Sequence, residues 1–134
     1  MRFAFCLGFA FVAATPVLAA PVIYTCQLDV PASQGWVPEQ VVIRYDAADK
    51  SVVVNDPLIQ HFVGEPVAGR VKTDNASRIT FAWDLEMVKN QDGQIAPKFL
   101  YRATVSKADN SIRISAIPAG YSNTFEAGGT CSLQ

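Results

Sequence analysis

Apolar and polar side chains alternate with a period of two along most of this chain. The pattern is clearest in Ile79-Thr80-Phe81-Ala82-Trp83-Asp84-Leu85-Glu86-Met87. Ile79, Phe81, Trp83, Leu85 and Met87 fall on one face, and Thr80, Ala82, Asp84 and Glu86 on the other. A helix would scatter those apolar groups around its axis, whereas a strand gathers them on one side. Phe99, Tyr101, Ala103 and Val105 repeat the pattern against Lys98, Arg102, Thr104 and Ser106, and Ile112, Ile114 and Ala116 against Arg113 and Ser115. Earlier, Val41, Ile43 and Tyr45 alternate with Arg44 and Asp46, Val67 and Val71 with Arg70 and Lys72, and Val52 and Val54 make a shorter run. Eight strands are predicted, near residues 22–29, 39–46, 51–55, 66–73, 78–88, 95–106, 111–117 and 129–133.

The turns fix the register. Gln91-Asp92-Gly93 would close a three-residue hairpin loop with Gly93 left-handed, setting Trp83 across from Tyr101 and Glu86 across from Lys98. Apolar then meets apolar and charge meets opposite charge, an agreement that a one-residue slip would destroy. The loop Ala47-Ala48-Asp49-Lys50 brings Tyr45 opposite Val52, and Lys107-Ala108-Asp109-Asn110 brings Val105 opposite Ile112. Asp74-Asn75-Ala76-Ser77 is a fourth turn by composition.

Every link is short enough for antiparallel neighbours, so the fold class is all-β: an eight-stranded antiparallel up-and-down barrel or barrel-like meander. Cys26 lies in the first strand and Cys131 in the last. A disulfide between them would join the two edge strands, and a closed barrel leaves no edge exposed. A two-sheet sandwich with one cross-sheet disulfide is the alternative.

Residues 1–19 carry the zones of a cleaved secretory signal: Arg2, the apolar run Phe3 to Ala14, and the small-residue exit ending at Ala19. Its removal takes away Cys6 and leaves residues 20–134 as one domain with two cysteines, which an oxidising compartment would bridge. A periplasmic or secreted location follows, with no stable membrane insertion after cleavage. Cys26 follows Ile23-Tyr24-Thr25 rather than the apolar run, which argues against a lipid anchor. Ten basic and twelve acidic side chains remain once Arg2 is gone, scattered without blocks, which disfavours nucleic acid as a partner. A monomer is expected.

An up-and-down order places connections one, three, five and seven at one end of the barrel. Three of these read as long: Val30 to Pro38, Asn55 to Glu65, and Pro118 to Gly128. They carry Trp36, Pro57, Leu58, His61, Phe62, Tyr121 and Phe125. Turn geometry does not need aromatics, so these side chains either plug the barrel mouth or contact a partner. A plug is the expected role of Phe62. Trp36, His61, Tyr121 and Phe125 form the candidate partner-binding set. Inside, Tyr24, Tyr45, Phe81, Trp83, Phe99 and Tyr101 predict a filled interior in preference to a ligand cavity.

Catalytic and metal motifs are missing. His61 is the only histidine and has no second ligand at metal-site spacing. No nucleophile elbow, phosphate-cradling glycine loop or His-Glu-x-x-His stretch occurs. Asp84 and Glu86 share one strand face, but Arg102 and Lys98 beside them predict a solvated charge ladder rather than paired-carboxylate catalysis. No enzyme activity, cofactor or metal is expected.

Tyr24-Thr25-Cys26 and Gly128-Gly129-Thr130-Cys131 resemble the opening and close of the small periplasmic inhibitors of C-type lysozyme. The resemblance implies a barrel that inhibits a cell-wall hydrolase. It departs at the inhibitory Ser-Ala-Ser-Gly-x-x-Tyr segment of that family, where this chain has Ile117-Pro118-Ala119-Gly120-Tyr121. The expected function is therefore a non-catalytic binding or accessory protein acting through loops at one barrel end, on a protein or small-molecule partner. A small apolar-ligand carrier of lipocalin type and the hydrolase inhibitor are the alternatives.

Overall fold

The structure is a computed structural model and describes residues 10–15, 20–89 and 95–134. The period-two runs become strands β1 (Val22–Asp29), β2 (Gln40–Asp46), β3 (Ser51–Asn55), β4 (Val67–Asp74), β5 (Arg78–Lys89), β6 (Ile95–Ser106), β7 (Ser111–Pro118) and β8 (Phe125–Leu133). One short helix, α1 (Pro57–Phe62), lies between β3 and β4. Each strand pairs antiparallel with the next, and β8 returns to β1, so the sheet is a closed barrel and not a sandwich.

The expected registers hold. Trp83 faces Tyr101, Glu86 faces Lys98, Tyr45 faces Val52 and Val105 faces Ile112. The Gln91-Asp92-Gly93 loop lies outside the described residues. The inward set packs as rings on rings. Tyr24 and Tyr45 meet Phe81 edge-on at 5.3 and 5.7 Å, and Trp83 stacks on Tyr101 at 5.5 Å. Phe81 and Trp83 are fully buried, and Tyr24, Tyr45, Phe99 and Tyr101 nearly so. Side chains therefore occupy the barrel interior. Trp83 Nε1 is buried there with no hydrogen-bond partner among the described residues.

Closure sits at the β1–β8 seam. Cys26 and Cys131 are direct cross-strand partners with Cα atoms 4.0 Å apart, and they form the disulfide. Both point into the core. Two residues along, Gly129 faces Leu28, and a Cβ there would lie 1.8 Å from the Gln27 carbonyl oxygen. Only glycine lets the first strand approach the last so closely.

Two sequence expectations need correction. The last strand starts at Phe125, not near residue 129, because the backbone pairs straight through Gly128 and Gly129, so the seventh connection is short, residues 119–124. Asp84 does not ladder with Arg102. It faces Leu100 across β6 and instead meets Arg70 of β4, with Oδ1 to Nη2 at 3.7 Å. Arg102 faces Ala82, which leaves it without that carboxylate.

No helix among the described residues is long and apolar enough to cross a membrane.

Candidate functional site

The mouth served by the odd-numbered connections is built from the first and third. The first connection, residues 30–39, holds a single 3₁₀ turn at Ala32–Gln34. The third is α1, which starts where it does for a local reason. Asp56 is its N-cap and accepts from Ile59 N at 2.8 Å, while Pro57 supplies a first helical residue that has no N–H to satisfy. Asp56 is itself buried. Burial pushes its carboxyl pKa up, against the opposing pull of the backbone N–H groups of Ile59 and Leu58.

Trp36 is the keystone of this mouth. Its ring stacks between Phe99 of β6, at 4.5 Å, and Phe62 of α1, at 6.0 Å. Its carbonyl accepts the Tyr101 hydroxyl at 2.7 Å. The Tyr101 hydroxyl is held well above its ordinary pKa by burial and then by the nearby Asp56 charge, so it stays a donor. On the other side of the mouth, Gln34 Oε1 accepts from Glu126 N at 2.8 Å. The first connection thus straps the opening from α1 to the start of β8.

The four candidate contact residues separate accordingly. Trp36 and Phe125 are half-buried and pack against the core; Phe125 is the first residue of β8 and faces Ala116. His61 is exposed in the last turn of α1, with its ring edge-on to Phe62 at 4.7 Å. Tyr121 is also exposed, with 62 % of its surface in solvent. Phe62 is half-buried under the strap, as a plug should be. Trp36, Phe62 and His61 are in a chain of contacts, and Tyr121 stands on the separate seventh connection.

Between the strap and α1 lies a cleft of about 320 Å³, lined by Val30, Pro31, Val37, Pro38, Pro57 and Leu58 among others, with Glu39 at its side. Three of its lining residues are prolines, whose rings fix φ and stiffen the walls. Pro57 and Leu58 were expected at this end. Val30, Pro31 and Pro38 belong to the long first connection, also expected at this end, although no cleft was expected between it and α1.

A second concavity lies on the outer wall, across β5 to β8. It measures about 830 Å³ and is lined by Arg78, Arg102 and Arg113 with Ser77, Thr104, Ser106, Ser111 and Ser115. Among the described residues no group of three His, Cys, Asp or Glu side chains is placed to hold a metal ion. Compared with protein-family models, with curated proteins and with solved structures, the chain matches none.

Proposed function

We propose that this chain is an exported, non-catalytic binding protein that engages a partner protein through the rim formed by α1, the strap and the seventh connection. The observation that carries this reading is the division of labour among the aromatics. Trp36 and Phe62 already seal the mouth, so the exposed Tyr121 and His61 have no packing task left to perform. An exposed tyrosine presented on a short loop has the make-up of an interface anchor. The interior rings weigh against the carrier reading, since a ligand would have to displace Trp83 and Phe81. The disulfide fits an oxidising compartment.

The test is site-specific photo-crosslinking in the cell envelope. A photoreactive phenylalanine at position 121 or 61 should yield a discrete crosslinked band, while the same probe at Arg44, on β2, should not. Equal crosslinking from all three positions, or none from 121 and 61, would reject the rim as the contact surface.

A further inference from the structure

We propose that the outer wall of the barrel carries a second binding site, a groove for an anionic polysaccharide. It is independent of the rim and uses residues that are far apart in sequence. The register assembles them. Ala82, Arg102, Ser115 and Glu126 form one row across β5 to β8, and Thr80, Thr104, Arg113 and Gly128 form the next. Arg78, Ser106, Ser111 and Thr130 make the third. The side chains of Arg78, Arg102 and Arg113 therefore stand around a floor of hydroxyls, with Thr80 and Thr104 joined Oγ1 to Oγ1 at 2.9 Å. Gly128 and Ala82 keep the rows beside Arg113 and Arg102 low, which opens the concavity.

A β-bulge extends the groove onto β4. The pairing slips between Val71 and Thr73, so Lys72 and Thr73, neighbours in sequence, both line a continuation of about 290 Å³ with Arg78 and Arg102. At about 4.8 Å per strand, five strands give a track of roughly 20 Å. Four cations line it, and the sole carboxylate among its lining residues is Glu126, paired with Arg113 at 3.2 Å. That pair is exposed on both sides, so it holds Arg113 only weakly and can be exchanged for a ligand oxyanion. Neither Arg78 nor Arg102 has a carboxylate partner among the described residues.

The chemistry selects the occupant. Guanidinium forks match carboxylate, sulfate and phosphate oxygens in pairs. Serine and threonine hydroxyls match the hydroxyls of a sugar chain. No aromatic side chain lines the groove, so it lacks the platform on which single-stranded nucleic acid stacks. A closed wall has no free edge for an acidic peptide to join as a strand. Leu100 and Ile117, the exposed apolar pair nearby, face one another beyond the Arg102 row and are too small a patch to seat a lipid surface.

Titration calorimetry of the purified protein with heparin and with polygalacturonate tests the proposal. Binding to at least one is expected, and R102Q/R113Q should weaken it by about tenfold or more. The slope of log affinity against log salt should fall by roughly one for each arginine removed. E126Q should tighten binding severalfold, which no unfolded variant could do. R44Q, the same charge change on another part of the wall, should leave affinity unaltered. Binding to neither polysaccharide, equal loss from R44Q, no gain from E126Q, or tighter binding to single-stranded DNA, polyglutamate or anionic-lipid vesicles would each overturn it.

Discussion

Asp56 does two things that pull against each other. Its carboxylate caps α1, and its burial beneath the mouth opposes the charge that makes it a good cap. Because its folded-state pKa is raised, the folded chain holds the Asp56 proton more tightly than the unfolded chain does. The resulting stabilisation is fully present below the unfolded carboxyl pKa and is lost as pH rises through the folded one. Asp56→Asn keeps a capping oxygen and removes the ionisation. Its melting temperature relative to the native chain should therefore rise as pH goes from acid towards neutral. Asp49 and Asp109, lowered chiefly by hydrogen bonds from Ser51 and Ser111, give the opposite slope on the acid side. They are common to both proteins and cancel in the comparison. Asp56→Ala, which leaves the buried Ile59 N–H without its acceptor, should lie about 0.5–2 kcal/mol below Asp56→Asn at every pH, since neither variant ionises at this position. A constant offset between Asp56→Asn and the native chain across the titration would refute the account.

At the scale of elements, the Trp36 ring is the largest apolar contact that holds the strap over the mouth. Trp36→Ala removes the stack on Phe99 and the cover over Phe62. A fully buried aromatic costs about 3–5 kcal/mol when cut to alanine, and half-burial should bring this to about 2–3 kcal/mol. Tyr121→Ala, on the same end but in solvent, should change stability by less than about 0.5 kcal/mol. Urea unfolding of the two variants separates plug from contact residue; matching losses would mean that Tyr121 also packs. The same contrast marks what the chain reveals before folding. Strand parity and turn length carry the register of β2 with β3, β5 with β6 and β6 with β7, because one face of each of these strands is apolar. The start of β8 was hidden, since Gly128 read as the end of a loop and Phe125-Glu126-Ala127 alone is too short to show a period. The fate of Trp36 was equally hidden, because stacking against Phe99 depends on where the strap crosses. The arginine groove needed registers across five strands at once. Charges compared along a single hairpin suggest an Asp84–Arg102 pair, whereas the wall places Asp84 on Arg70 and leaves Arg102 facing the groove.

For the whole molecule, the seam between β1 and β8 decides whether the sheet is a barrel or an open meander with two bare edges. Every other pair of neighbouring strands is joined by a local turn or short connection, so its partner is always at hand. β1 and β8 must find each other from opposite ends of the domain, with 105 residues separating Cys26 from Cys131. Closing a loop of that length is where chain entropy opposes folding most, and a covalent link there removes about 4–5 kcal/mol of it in the loop-entropy account. The double variant Cys26→Ala/Cys131→Ala should thus lose about 2–5 kcal/mol in urea unfolding, the range seen when a native disulfide is removed from a small domain. Hydrogen exchange should rise first in β1 and β8, because the hairpins β5–β6 and β6–β7 keep their local partners and the stacked interior rings. The groove rows begin at β8, with Glu126 and Gly128, so loosening the seam should also weaken polysaccharide binding while β5 and β6 stay protected. If the thiol-free barrel unfolded as one unit with uniform exchange, closure would be a property of the packed rings rather than of the seam.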